Sequence, residues 1–246
     1  MQSGVKQHFI KRALNYNVSS SWVDDPELIR KIKDLARSKP KEYVLDIATV
    51  TGKIARVFCG HAHYVVGLDI CREMILQARE CADEFVLALA EKLPFRDRAF
   101  DVCVCRQGLQ FMDLDAVISE ICRILKPGGR VVLCHLTAYC EEDKEETFLI
   151  QKLRNPARKN FFMPEDIPGL LKQKAFMAVE HFVYITRESV NQWIDNHAID
   201  AQRRRQIFDV YRNSSDSFKR IHDIEFRNGD IFDSMQMLIV KARKAG

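Results

Sequence analysis

The sequence predicts an α/β fold with a mostly parallel sheet covered by helices on both faces. Apolar runs of strand length recur from residue 43 onward, and stretches with helical apolar spacing separate them. The runs are nearly continuous rather than alternating, as in strands buried on both faces. Two of them reach an aspartate, Asp46 and Asp69, where a parallel sheet presents its ligand-binding edge. With 246 residues, 47% of them hydrophobic, the chain has the material for the core of a full domain, and disorder is excluded as its main state.

The first forty residues read as a helical segment. Phe9, Ala13 and Tyr16 give a short apolar face, which Ser19-Ser20-Ser21 breaks. Asp25-Pro26 then starts a helix with Asp as cap and Pro at its first position. Leu28, Ile29, Ile32 and Leu35 form its stripe, and Ser38-Lys39-Pro40 ends it. Strands are expected at 43–47, 64–68, 85–89, 100–105 and 130–135. Helices are expected at 53–58, 72–85 and 116–125, with Lys126-Pro127-Gly128-Gly129 as a turn. Beyond residue 138, the acidic run 141–146 reads as a solvated helix start, 164–174 as a helix and 178–185 as a strand. A long polar helical stretch at 187–220 precedes a last strand at 234–241.

Composition narrows the function. Lys plus Arg is 38 against 34 Asp plus Glu, a net +4, which argues against a nucleic-acid binder. The Arg203-Arg204-Arg205 run reads as a solvated helix face. No apolar run approaches the roughly 20 residues that span a bilayer, and the first residues lack a secretory signal. The eight cysteines form no C-x-x-C pair and read as small buried hydrophobes in a reducing cytosol, with Cys103 and Cys105 on one side of a strand. A cytoplasmic protein without a metal site is expected.

The first strand-to-helix turn, Asp46-Ile47-Ala48-Thr49-Val50-Thr51-Gly52, places small residues after an acid. At the end of the second strand, Asp69 can accept both hydroxyls of a ribose. A helix cap for the stretch from Cys71 is the competing role.

The stretch Val44 to Gly52 resembles the first motif of class I S-adenosylmethionine-dependent methyltransferases, closest to the small-molecule group that includes the ubiquinone/menaquinone C-methyltransferases. Four further stretches fit in order. They are Val66-Gly67-Leu68-Asp69-Ile70 with Met74, Ala90 to Phe95, Phe100-Asp101-Val102 leading to Arg106–Phe111, and Glu120 to Gly129. The resemblance covers about residues 40 to 136. It implies a Rossmann-like seven-stranded sheet whose last strand is antiparallel, and S-adenosyl-L-methionine as cofactor. By position, Asp46, Ala48 and Gly52 belong to the turn holding the methionine end, and Asp69 binds the ribose. Ile70 and Met74 flank the adenine, Ala90 and Glu91 sit at its edge, and Arg106 and Gln107 lie beside the amine and sulfonium. Ordinary core packing competes for Ile70 and Met74.

The sequence departs from the family at two positions. Val50 stands where the family has glycine, and Leu89 where it often has an acid. They raise a second reading, a catalytically degenerate nucleoside-binding relative acting as partner or regulatory subunit. The first reading is a methyltransferase acting on a small, apolar or aromatic metabolite. Its base candidates are His8, Tyr16, His135 and Tyr139, with His135 and Tyr16 favoured. Phe9, Tyr16, Trp22, Phe111, Phe161, Phe162 and Met163 are expected to wall the substrate pocket. Residues 1–40 are expected to form a lid segment over a methyltransferase domain at 41–246. That domain carries a helical insertion near 187–225.

Overall fold

The computed structural model describes residues 2–78 and 80–246. Helix α1 (Gln2–Arg12) runs into a 3-10 turn at Ala13–Val18 and a second at Ser21–Val23. Helix α2 (Pro26–Ala36) starts where Asp25 accepts from the amides of Glu27 and Leu28 at 2.9 and 3.1 Å. There the carboxylate satisfies donors that the helix leaves open.

Strands β1 (Tyr43–Ile47), β2 (Tyr64–Asp69), β3 (Glu84–Leu87), β4 (Phe100–Arg106) and β5 (Leu125–Leu136) pair in parallel, in the order β3-β2-β1-β4-β5. Short helices α3 (Lys53–Arg56) and α4 (Arg72–Gln77) and the longer α5 (Leu114–Ile124) connect them. Strand order reverses between β1 and β4, so their crossovers leave for opposite faces and a crevice opens at their carboxyl ends.

The second half adds α6 (Lys144–Arg154), α7 (Asp166–Gln173), β6 (Phe176–Ser189), α8 (Val190–Ile194), α9 (Ala201–Asn213), α10 (Asp216–Ile221), β7 (Glu225–Arg227) and β8 (Asp230–Lys244). Strand β8 runs antiparallel between β5 and β6. Residue alternation sends the two faces of each strand into two cores. Val44, Val102 and Val132 join α2 and α3 on one face. Leu45, Cys103, Cys105 and Leu133 join α5 and α7 on the other.

Among the described residues the sheet has eight strands, one more than the seven expected. The extra one, β7, forms a hairpin with β8 across Asn228 (φ 53°) and Gly229 (φ 77°). This Asn-Gly pair takes the positive φ angles that a type I′ turn requires. The helix expected at 72–85 stops at Gln77, since β3 pairing claims the chain from Glu84. The expected turn at Lys126–Gly129 lies inside β5 as an irregularity in its pairing with β4, and residues 187–189 still belong to β6.

Of the first forty residues, α1 contributes to the crevice, whereas α2 is buried against the sheet with Leu28, Ile32 and Ala36 fully covered. Among the described residues all eight cysteines are free, with only Cys140 exposed. Among those residues also, no cluster of metal-binding side chains occurs, and no helix is long and apolar enough to cross a membrane.

Candidate active site

The loop after β1 puts alternate residues in the left-handed region: Ala48 at φ 56°, Val50 at 53° and Gly52 at 75°. For Val50 this is strained, because a β-branched side chain crowds its own backbone there. Gly52 has no such cost, and a Cβ on it would lie 2.5 Å from Cys81 Cβ. Asp46 fastens the loop from below. Its Oδ2 accepts from Thr49 Oγ1 at 2.7 Å and from the Ala55 amide at 3.0 Å. Burial pushes the Asp46 carboxyl up to about 7.

Asp69 holds the same loop from the side. Its Oδ2 accepts from the Val50 amide at 2.9 Å and its Oδ1 from the Cys71 amide at 2.8 Å. Burial raises its pKa to about 6, and the bonds from Cys71 and Val50 oppose that rise. At the end of β4, Gln107 is also left-handed at φ 57°. Its neighbour Gly108 lies so close to the first loop that a Cβ would sit 2.8 Å from Ala48 Cβ.

These ends border an open cleft. Ala48, Val50, Asp69, Ile70, Leu89, Ala90, Glu91 and Gln107 line it, with Val5 and Phe9 of α1 above. Asp46, Gly52, Met74 and Arg106 do not. Asp46 and Gly52 shape the loop, and Met74 is fully buried in the core. Arg106 gives both terminal nitrogens to the carbonyls of Trp22 and Val23, at 3.0 and 3.1 Å. Glu91 also accepts from the Asp113 amide at 3.1 Å.

The lining fits an adenosyl group. Asp69 offers a carboxylate for hydroxyls, and Leu68, Ile70, Ala88, Ala90 and Met112 offer an apolar slot. Gln107 Nε2 is a buried donor without a partner.

A second chamber adjoins the cleft and shares Phe9, Gln107 and Phe111 with it. The Phe9 and Phe111 rings meet edge-on at 5.2 Å. Tyr16 and Trp22 line the chamber as expected, but Phe161, Phe162 and Met163 do not. Phe162 is buried against the His135 ring, and Phe161 packs on Phe148. His135 itself lies behind the wall. It is fully buried, and its Nδ1 donates to Gln110 Oε1 at 3.2 Å. Burial lowers it to about 3, so it is neutral and a weak base. His8 is likewise lowered to about 3 by burial and by Arg12. Burial raises the phenol of Tyr16 and keeps it protonated.

Residues 45–133 match the family model described as a methyltransferase domain. The uncharacterized methyltransferase YcgJ of Bacillus subtilis is 27% identical over 225 residues, covering 85% of each chain. The demethylmenaquinone methyltransferase of Thermotoga maritima is 32% identical over 136 residues, 53% of this chain and 57% of that one. The chain belongs to the class I S-adenosylmethionine-dependent methyltransferases. A solved methyltransferase structure from Bacillus halodurans superposes with a TM-score of 0.81 over 89% of this chain and 99% of that one, at 24% identity, and shows the same fold. S-adenosylmethionine is the cofactor of this methyltransferase, and the degenerate reading raised by Val50 and Leu89 is not favoured.

Sequence reasoning missed Arg12, Gln110, Gln151, Arg154, Arg158 and Trp193, which all line the second chamber. The signal was present in α6. Thr147, Ile150, Gln151 and Arg154 are its buried residues at helical spacing, so its inner face carries an amide and a guanidinium beside the isoleucine.

Proposed function

We propose that this methyltransferase acts on a small-molecule acceptor held in the second chamber, with its reacting atom presented at the constriction of Phe9, Gln107 and Phe111. One observation carries the reading: those three residues line both cavities, so a cleft fit for the donor adjoins a second chamber. The aromatic walls at Phe9, Tyr16, Trp22 and Phe111 suit an apolar or aromatic body.

S-adenosylmethionine supplies a methyl group on a sulfonium, already a strong electrophile, so the chain's task is alignment and exclusion of water. Asp69 would hold the ribose and, through Val50, the loop beneath the methionine end. Gln107, with its free Nε2, would face the donor's polar end. Phe9 and Phe111 would close the line of transfer to water. His135, neutral and weakly basic, positions Gln110 and takes no proton.

In this reading, α1 with its following turns and the helices α8 to α10 cover the site. Trp193 of α8 lines the chamber, which supports the cover. The basic face of α9 is engaged by acids, with Arg203 3.7 Å from Asp200 and Arg204 2.7 Å from Asp195, which speaks against a nucleic-acid acceptor. The test is to incubate the protein with methyl-labelled S-adenosylmethionine and a cell extract, then separate small molecules from polymers by ultrafiltration. Enzyme-dependent label is expected in the small-molecule filtrate. Label in the protein or RNA fraction alone would contradict the reading.

A further inference from the structure

The second chamber is walled by three guanidiniums, Arg12, Arg154 and Arg158, and no carboxylate lines it. Each is more than nine-tenths buried. Among the described residues, none of them forms an ion pair. Their hydrogen bonds are to neutral groups. Arg12 reaches Ser19 Oγ at 3.3 Å, Arg154 the Trp193 carbonyl at 3.0 Å and Ser20 Oγ at 3.1 Å, and Arg158 the Asn160 carbonyl at 2.9 Å. Arg12 Nε and Arg158 Nη2 are left with no partner, as are the indole N–H groups of Trp22 and Trp193.

Buried cations without counter-charges are costly, and here they crowd one another. Burial lowers Arg154 well below its ordinary value and Arg12 and Arg158 push it further. Burial brings Arg158 down to about 9. Glu188 and the Tyr16 phenol favour the charge on Arg154, but the Glu188 carboxylate is taken up by the amides of Ser21 and Trp22 and the hydroxyls of Ser21 and Thr186. Arg106 shows the contrast, since both its terminal nitrogens are satisfied by carbonyls and it lies outside the chamber.

We infer that the methyl acceptor carries an oxyanion, a carboxylate or phosphate, which Arg12, Arg154 and Arg158 receive in the second chamber. An oxyanion takes several N–H donors at once, and the planar guanidinium matches its geometry. The inference rests on the methyltransferase reading and names the acceptor class for that same site. The anion is the handle by which the acceptor is held, while the aromatic wall takes its body.

The chain has two tryptophans, Trp22 and Trp193, and both line this chamber, so intrinsic fluorescence reports on it directly. The protein, loaded with S-adenosylhomocysteine, is titrated with benzoate, phenyl phosphate and the neutral benzamide. At least one anion is expected to bind tenfold or more tighter than benzamide, and the stronger of the two identifies the oxyanion. Equal affinity for all three probes would overturn the inference. Arg158→Gln should lower anion affinity about tenfold, with Arg158→Lys intermediate and benzamide unchanged. An Arg158→Gln protein that folds and binds the anion as before would also overturn it. S-adenosylhomocysteine affinity, measured in the same samples, separates the two levels. Its absence defeats the methyltransferase reading and the acceptor assignment with it. Its presence without anion preference defeats this inference alone.

Discussion

The Val50 amide donates to Asp69 Oδ2 at 2.9 Å, tying the loop after the first strand to the end of the second. The bond ties Asp69 to the loop, and in the proposed reading the same carboxylate also holds the ribose. The residue that makes the bond is held at φ 53°, where valine is strained.

Asp69→Ala is therefore expected to weaken S-adenosylhomocysteine binding by about ten- to a hundredfold, since hydrogen bonds to a charged group are worth about 1.5–3 kcal/mol. Calorimetric titration checks it. An unchanged dissociation constant in a folded variant removes the ribose assignment.

The same carboxylate sets a pH dependence. Burial raises it to about 6, and in the proposed reading ribose hydroxyls would donate to its ionised form. Affinity should be steady above that value and fall by at most about tenfold per unit below it. A profile flat from pH 5 to 8 would detach Asp69 from binding.

Val50→Gly should tighten donor binding or leave it unchanged. Relief of left-handed strain is worth about 1–2 kcal/mol. Lost burial and a freer unfolded chain offset it, so stability should change by no more than about 1 kcal/mol. Weakened binding in a folded variant would make the valine a positive contact.

His222 supplies a test outside the site. Its Nδ1 is 2.8 Å from Asp233 and its Nε2 3.0 Å from Asp143, and together they join α10, β8 and the approach to α6. Burial opposes its charge, but the two carboxylates outweigh burial and raise it to about 9. A raised histidine stabilises the fold fully below its unfolded value of about 6.5, and that stability is lost as pH rises through 9. Stability measured by urea unfolding should fall between pH 7 and 9. In His222→Phe that slope should vanish, at a cost of about 3–5 kcal/mol near neutrality, because two carboxylates stay buried without their cation.

The parallel half of the fold was legible because its strands are buried on both faces and its turns carry their own chemistry, as Asp25-Pro26 and Asp46–Gly52 do. Strand β7 escaped because three exposed residues show no periodicity, although Asn228-Gly229 marks its hairpin. Asp69 and Gln107 could be placed from motif position. Asp46 and Arg106 could not be separated from ligand contacts, since only tertiary hydrogen bonds show that they serve the loop and the N-terminal turn. The second chamber was hidden for a different reason. Arg12, Arg154 and Arg158 come from two distant segments, and an arginine reads as surface until the packing shows it buried.

The most direct measurement is calorimetric titration of the purified protein with S-adenosylmethionine and S-adenosylhomocysteine. One saturable site per chain with dissociation constants of roughly micromolar order is expected, corresponding to about −8 kcal/mol. A folded protein that gives no binding heat with either compound, at several temperatures, would contradict the assignment of the cleft to the methyl donor.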